Sequence, residues 1–241
     1  MILDRNISYL KQMCQFRNRV RGKNNIILIC GELGSGKSYA GMQLCRLLDP
    51  SFEGDFKNRI VWNLREFFNV VKNLSHCYVL VDETNLQGYS QYEWASIEAR
   101  IFGFLNQSVR FKLINVVMTM PKFQMLSIQS RNLVNFGINM YRVYRSRGIS
   151  IGTVYKLIHD GMFGDWFNKI EFLTFKKPPE SMCIYYEEQR RKFLEEGAWV
   201  KWEEQFEKKQ KKITTWRDDV KDIPPPTKKL RYVEDPYLPK G

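Results

Sequence analysis

Eight residues near the start of the chain have the spacing of a phosphate-binding loop. The segment Gly31-Glu32-Leu33-Gly34-Ser35-Gly36-Lys37-Ser38 matches G-x-x-x-x-G-K-[ST] at every fixed position. Glycines let successive backbone N–H groups point at phosphate oxygens, the lysine reaches the β- and γ-phosphates, and the serine hydroxyl reaches Mg²⁺. The predicted nucleotide-binding residues are Gly31, Glu32, Leu33, Gly34, Ser35, Gly36, Lys37, Ser38 and Tyr39. The predicted ligands are ATP and Mg²⁺.

The elements on either side of this loop fit the motif. Residues 25–30 read as a short buried strand, and residues 38–48 read as the helix that should follow. A helix N-terminus contributes partial positive charge at the place where the phosphates would lie. A glycine-rich turn that binds nothing is the alternative, and it does not account for strand, loop, Lys-Ser and helix in this order.

A second acidic element follows about 45 residues later in the sequence. The apolar run 78–81 ends in Asp82 and Glu83, and a buried parallel strand delivers such residues to the crevice where ligands bind. Asp82 is predicted to hold Mg²⁺ together with Ser38. Glu83 is predicted to be the general base that activates water. The alternative is that the pair only caps a helix entering at Thr84.

Charge gives a third indication. The chain has 38 Lys and Arg against 26 Asp and Glu, a formal net charge of +12, and no acidic residue occurs between Ala99 and His159. Such a surface attracts polyanions through counterion release. Nucleic acid is the predicted partner, with an anionic membrane surface or general solubility as alternatives. The predicted nucleic-acid contacts are Arg142, Arg145 and Arg147.

Composition limits the remaining possibilities. A chain of 241 residues with 44% hydrophobic residues can form one α/β core with appendages. No apolar run approaches the roughly 18–20 residues of a membrane span, and the N-terminus lacks the apolar segment of a signal peptide. Five scattered cysteines favour reduced core thiols over disulfides, and two histidines make a histidine-based metal site improbable. These features predict a cytoplasmic protein.

Strand and helix patterns predict an α/β fold with a mainly parallel sheet, an antiparallel strand extension and a C-terminal helix. The predicted strands are 25–30, 59–62, 77–81, 113–119, 138–144, 153–158 and 169–175. The predicted helices are 38–48, 64–74, 92–107, 126–135 and 180–212. Four regions follow: a basic N-terminal helix (1–23), the core (24–175), a helical extension (176–213) and a Pro-rich, charged, flexible tail (214–241).

Over roughly residues 24–145 the sequence resembles the Zot-like P-loop ATPases of filamentous phages, archaeal viruses and plasmids, within the FtsK–HerA group of DNA-pumping motors. The similar segments are Asp82-Glu83, Gln107-Ser108-Val109-Arg110, Met118-Thr119-Met120-Pro121, Arg131-Asn132-Leu133-Val134 and Met140-Tyr141-Arg142-Val143. The resemblance implies a RecA-like core, a ring of subunits, action on DNA in a prokaryotic host cell, and viral or plasmid assembly proteins as partners.

Two features differ from that family. Its members usually end the fourth strand with Thr-Gln, where the glutamine senses the γ-phosphate. Here Thr119 precedes Met120, so either Thr119 takes that role or the sensing is weaker. Phage members also carry a membrane span, which has no counterpart in this sequence.

Two arginines are candidates for a finger that completes a neighbouring subunit's site. Arg131 follows the fourth predicted strand and Arg110 precedes it; either could instead bind DNA phosphate or a surface carboxylate. The predicted activity is ATP hydrolysis that translocates or packages DNA. A nucleotide or nucleoside kinase, and a nucleotide-gated DNA-binding protein without turnover, are the two alternatives.

Overall fold

The computed structural model describes residues 3–62, 64–82, 110–126, 131–160 and 164–193. Its strands are β1 (Ile26–Gly31), β2 (Ile60–Val61), β3 (Tyr78–Val81), β4 (Asn115–Met120), β5 (Phe136–Tyr144), β6 (Ile149–Asp160) and β7 (Gly164–Lys176). Its α-helices are α1 (Leu3–Arg19), α2 (Lys37–Leu48), α3 (Phe52–Arg59), α4 (Leu64–Asn73), α5 (Arg110–Lys112) and α6 (Glu180–Phe193). Short 3₁₀ turns occupy Phe123–Met125 and Arg145–Arg147.

One mixed sheet with the order β2-β3-β4-β1-β5-β6-β7 contains all seven strands. The first five in this order pair in parallel, and β6 and β7 extend the sheet in antiparallel register beyond β5. The predicted fold class, α/β with a mainly parallel sheet and an antiparallel extension, is confirmed. Because β1 lies between β4 and β5, the loop that follows β1 leaves the middle of the sheet at its carboxyl edge, where ligands bind in open α/β sheets.

Alternation along the strands produces two apolar faces. On β1, Ile27 and Ile29 pack against α2, whereas Ile26 and Leu28 lie in the cluster that contains Phe67 of α4. We call these the α2 face and the α4 face. Helices α1 and α6 also lie on the α2 face, since Leu10 and Tyr186 belong to its core cluster. The predicted N-terminal helix therefore packs on the sheet rather than standing ahead of the core.

Buried polar side chains fix the amino ends of the parallel strands. Asn25 is fully buried, and its Nδ2 lies about 3 Å from four acceptors that share its two N–H groups: Cys14 O, Asn18 Oδ1, Tyr78 Oη and Asn115 Oδ1. These bonds join α1, β1, β3 and β4 at one point. Buried polar contacts of this kind specify how elements meet, because a group removed from them would lose its hydration without compensation. The network leaves Asn25 Oδ1 buried and without a hydrogen-bond partner among the described residues.

A buried arginine anchors the start of β3. Arg59 Nη1 and Nε lie 3.0 Å from the carboxylates of Asp49 and Asp55, and Asp49 also accepts a hydrogen bond from the backbone N of Tyr78. Helix α3, which carries this arginine, was not predicted from the sequence. Along the chain it joins the end of α2 to β2, and Asp49 connects it to β3, the strand that precedes Asp82.

Other differences concern lengths: β6 and β7 extend beyond the predicted strands 153–158 and 169–175 at both ends, and the helices differ as follows. The predicted helix 126–135 is wrong at its C-terminal end, where residues 132–133 form a turn and residues 134–135 lead into β5 as irregular chain; residues 127–130 lie outside the described part. Helix 92–107 and residues 194–212 of the last predicted helix also lie outside it. Among the described helices, none is long and apolar enough to cross a membrane.

Candidate nucleotide-binding site

The phosphate loop joins β1 to α2 and contains backbone conformations that favour glycine. Gly34 and Gly36 have φ values of 77° and 80°, in the left-handed region. At Gly36 a Cβ atom would also lie 3.2 Å from Cβ of Ser150. The strand β6 therefore approaches the loop closely, and the glycine is required both by φ and by space.

The N-terminus of α2 is open toward this loop. Gly36 is its N-cap residue, without a side-chain capping bond, and the first turn has no acidic residue. The first N–H groups of a helix have no intrahelical partner and bind anions. Ser35 Oγ is buried with no hydrogen-bond partner among the described residues. An uncapped helix and an orphaned hydroxyl beside it fit a phosphate group.

Lys37 extends over the loop that precedes it. Its Nζ donates to the carbonyl oxygens of Gly31 and Glu32 at 2.8 and 2.9 Å. These contacts hold the ammonium group beside the same backbone that would surround the phosphates. Among the described residues the ammonium group has only carbonyl oxygens as partners and no ion pair, so an arriving phosphate oxygen would give it a stronger partner.

Three hydroxyl groups converge on the carboxylate of Asp82, which lies directly after β3 and is 1% exposed. Ser38 Oγ and Thr119 Oγ1 donate to Oδ1 at 2.9 and 2.6 Å, and Tyr186 Oη donates to Oδ2 at 2.5 Å. The structure thus brings together Ser38, Asp82 and Thr119 from three separate segments. Hard oxygen donors of this kind suit Mg²⁺, which keeps several waters and binds through one or two carboxylates plus phosphates.

Tyr186 was missed by the sequence analysis, which predicted only a helix over residues 180–212 there. It lies on α6, 104 positions from Asp82, and its ring packs edge-on against Tyr39 with centroids 6.1 Å apart. Helix α6 also places Glu187, which accepts from Tyr39 Oη at 3.1 Å, beside the first turn of α2. Burial and the adjacent Glu187 raise the pKa of Tyr39, so its hydroxyl remains a donor. No spacing rule connects residues so far apart.

The cleft beside the loop has a volume of about 370 Å³. Its walls include Lys37, Asp82 and Thr119, with Tyr186 and Arg190 of α6 and Arg145 of the turn between β5 and β6. Arg145, predicted to contact nucleic acid, therefore lies at the phosphate loop. Its Nη2 is 3.7 Å from the point where a Cβ on Gly34 would stand, and its guanidinium makes no hydrogen bond or ion pair with a described residue.

The other two predicted nucleic-acid arginines lie outside the cleft. Arg142 donates from Nη1 to Tyr144 Oη at 3.0 Å, and Arg147 is exposed at the end of the same 3₁₀ turn as Arg145. The structure thus separates one of the three predicted DNA contacts from the rest.

The first finger candidate, Arg131, binds its own chain. Its Nε donates to Leu126 O at 2.8 Å and its Nη2 to Gln124 O at 2.6 Å. Its guanidinium also lies 5.5 Å from the ring centroid of Phe123. It braces the loop that follows β4. Glu83 and the side chain of Arg110 lie outside the described part of the chain, so their predicted roles remain predictions.

A glycine-rich loop between a central parallel strand and an open helix N-terminus, with an aspartate from a strand two positions away bound to the loop serine, defines a P-loop NTPase fold. No protein-family model and no curated protein matches the sequence.

Two solved structures show a distant likeness. The N-terminal domain of zonular occludens toxin from Neisseria meningitidis is 14% identical, with a TM-score of 0.33, over 61% of this chain and 94% of that one. A DNA polymerase III gamma subunit-related protein from Thermotoga maritima is 13% identical, with a TM-score of 0.41, over 59% of this chain and 48% of that one. This chain therefore spans about half of the second protein.

Proposed function

We propose that this protein hydrolyses ATP and uses the energy to translocate or package DNA for a virus, phage or plasmid in a prokaryotic cell. The observation that carries the ATPase part is the contact between Ser38 on the phosphate loop and Asp82 after β3. Loop serine and acidic residue are the pair that holds Mg²⁺ on the β- and γ-phosphates in this fold. The metal would neutralise charge on the phosphates; the residues below bind and orient them.

Each residue of the cleft has a proposed role. Lys37 binds the β- and γ-phosphates, Ser38 and Asp82 hold the metal, and Thr119 senses the γ-phosphate through its bond to Asp82. Glu83, the next residue after Asp82, deprotonates the attacking water. We place Arg145 with the phosphate ligands in cis, instead of on DNA, because it lines the cleft and has no partner among the described residues.

DNA as the substrate is supported by charge and by the family resemblance of the sequence. The net charge is +12, and the acid-free stretch 99–159 includes the whole of β4 and β5. A positively charged surface attracts a polyanion such as DNA without sequence preference. The ring of subunits implied by that resemblance would let one subunit complete the site of the next.

ATP turnover measured without DNA, with single strands and with duplex tests the proposal. Lys37→Ala should abolish turnover, whereas Lys72→Ala, which removes an exposed lysine from α4, should not. Glu83→Gln should bind ATP without hydrolysing it, since it removes the base and keeps the shape. Phosphate passed to a small acceptor instead of water would identify a kinase. Tight ATP binding without turnover would identify a nucleotide-gated binding protein.

A mixing experiment tests the proposed ring. Arg131→Ala should bind ATP but lose turnover, and mixing it with Lys37→Ala should restore part of the activity because each subunit supplies what the other lacks. To act in trans, Arg131 would have to release the carbonyls of Leu126 and Gln124. A co-assembled mixture that stays inactive would leave Arg131 as the residue that braces the loop after β4.

A further inference from the structure

Aromatic side chains line the α4 face of the antiparallel extension. Cross-strand partners share a face of a sheet, and Thr153, Tyr155 and Leu157 of β6 pair with Phe172, Lys169 and Phe167 of β7. Because Leu157 and Tyr155 belong to the α4-face cluster, their β7 partners lie on that face as well. A bulge that leaves Ile170 unpaired keeps Lys169 and Phe172 on one side.

Contacts between the rings join this row to neighbouring elements. Phe167 packs edge-on against Phe123 of the loop after β4, with centroids 5.2 Å apart, and Phe172 does the same with Tyr141 of β5 at 6.4 Å. We call Phe123, Tyr141, Tyr155, Phe167 and Phe172 the aromatic surface. A groove of about 370 Å³ lies at the part of this surface formed by Phe123, Tyr155 and Phe167, and Gly137 and Asn139 of β5 also line it.

Three rings of this surface are open to solvent, although aromatic side chains are of the kind that proteins bury, whereas Phe123 and Tyr155 are partly buried against the α4-face cluster. Phe167 is 51% exposed, Phe172 48% and Tyr141 53%. Single exposed aromatics are ordinary, but contiguous apolar surface marks a binding site. The exposed rings are therefore evidence for a ligand with flat apolar groups.

Positively charged side chains lie close to these rings. Lys169 Nζ lies 4.0 Å from the centroid of Phe172, the Arg131 guanidinium lies 5.5 Å from that of Phe123, and Lys122 lines the groove. None of the residues lining the groove is acidic. Rings that accept stacked bases, flanked by cations that accept phosphates, are the combination that binds single-stranded nucleic acid.

We infer that the aromatic surface binds single-stranded DNA, with bases stacked on Phe167 and Phe172 and backbone phosphates on Lys122 and Lys169. The site is separate from the nucleotide cleft, and it rests on the proposed function only in taking the polymer to be DNA. Duplex DNA is not its ligand, because paired bases are already stacked within the helix and do not offer their faces.

Binding of a labelled oligothymidylate to the full chain, followed by fluorescence anisotropy, tests this inference. Phe167→Ala and Phe172→Ala should each weaken binding on the order of tenfold, and Phe172→Tyr should restore it because a ring is retained. The matched control is Trp166→Ala: Trp166 is 57% exposed on the same strand but pairs with Ile158, on the opposite face. It should bind as wild type does.

Lys169→Glu provides a second variant that leaves the rings in place; it should weaken oligothymidylate binding and leave ATP turnover without DNA unchanged. Lys37→Ala should abolish ATP turnover and leave oligothymidylate binding unchanged.

An inactive wild type that still binds oligothymidylate through Phe167 and Phe172 would overturn the proposed ATPase activity and leave this inference standing. Wild-type binding by the Phe167→Ala, Phe172→Ala double variant, or equal losses with duplex, would overturn the inference. Binding to phosphatidylglycerol vesicles but not to oligothymidylate would make the surface a membrane contact.

Discussion

At the scale of single residues, Arg145 and Arg147 have different surroundings although they lie on one 3₁₀ turn. Arg145 lines the cleft with Lys37, and Arg147 is exposed outside it. We expect Arg145→Ala to weaken ATP binding or turnover on the order of tenfold or more, because a charge-assisted hydrogen bond contributes about 1.5–3 kcal/mol. Arg147→Ala should leave both unchanged. Steady-state turnover without DNA measures the difference.

The opposite ranking would contradict this placement. If Arg147→Ala lowered turnover and Arg145→Ala did not, Arg145 would return to the DNA-contacting group in which sequence analysis placed it.

Tyr186 gives a second residue-scale prediction. Tyr186→Phe removes the donor to the buried Asp82 carboxylate while keeping the ring that packs on Tyr39 and Trp62. The loss of a hydrogen-bond donor to a buried acceptor lowers the free energy of unfolding by about 1–3 kcal/mol. The neighbouring Tyr185 donates to Lys57 O at an exposed position. Tyr185→Phe should therefore lower the free energy of unfolding by only about 0.5 kcal/mol.

Urea denaturation of both variants distinguishes the two roles, and the Mg²⁺ concentration for half-maximal turnover adds a functional readout. Equal stability losses in Tyr186→Phe and Tyr185→Phe, with unchanged Mg²⁺ dependence, would reduce Tyr186 to a packing residue.

At the scale of elements, α1 is bound to the far edge of the sheet by one carboxylate. Glu171 of β7 accepts a hydrogen bond from the backbone N of Leu10 at 3.1 Å. Burial raises the pKa of the Glu171 carboxyl above its usual value of 4.5, and the bond to Leu10 opposes this in part. Since the folded-state pKa is the higher one, the stability from this group is present below pH 4.5 and declines as the pH rises through the folded-state pKa.

Glu171→Gln should remove this decline. Its amide oxygen still accepts from Leu10, but no charge is buried, so the variant should gain stability relative to wild type at neutral pH and lose that gain toward pH 4. Thermal unfolding between pH 4 and pH 8 measures it. Glu188→Gln, on the exposed side of α6, is the control, because it makes the same change in net charge without removing a buried carboxylate. A constant difference across this range would show that Glu171 does not titrate on unfolding.

The elements could be predicted where burial imposes a regular pattern. β1, β3 and β4 are buried throughout or nearly so, and continuous apolar runs indicate them. Helix α3 was missed because Gly54 lies inside it and Asp55 has non-helical angles; buried ion pairs of Arg59 hold it instead. The strand β7 exceeds its prediction because the consecutive exposed aromatics Trp166 and Phe167 break the alternation of apolar and polar residues.

The residues of the candidate site likewise fall into those that a local pattern predicts and those that it does not. A local motif identified Lys37, Ser38 and Asp82, because the loop and the strand end are each contiguous in sequence. Tyr186 and the position of Arg145 depend on how α6 and the β5–β6 turn fold back over the loop. Contacts of that kind follow from tertiary packing, which no local spacing encodes.

At the scale of the whole molecule, excess positive charge should govern binding to DNA. Affinity should fall linearly on a log–log plot against salt, with a slope near −0.9 per neutralised phosphate for duplex and about −0.7 for single strands. The double variant Arg142→Ala, Arg147→Ala should make that slope less steep by up to the contribution of about two neutralised phosphates. The pair spares Arg145, so turnover without DNA is the control. An unchanged slope would move the contacts elsewhere, for instance to Arg17, Arg19 and Arg21 on the N-terminal side.

The bond between Leu10 and Glu171 also sets an order of events during synthesis. Its partners are 161 positions apart, so the first helix leaves the ribosome long before the strand that receives it exists. The phosphate loop and α2 emerge early, but Tyr186 of α6 cannot reach Asp82 until almost the whole described chain is out. A nascent chain therefore exposes the apolar side of α1, with Leu10 and Cys14, until β7 and α6 have left the ribosome. For this fold, the period of vulnerability to aggregation and to proteases is set by the time the ribosome needs to reach β7 and α6.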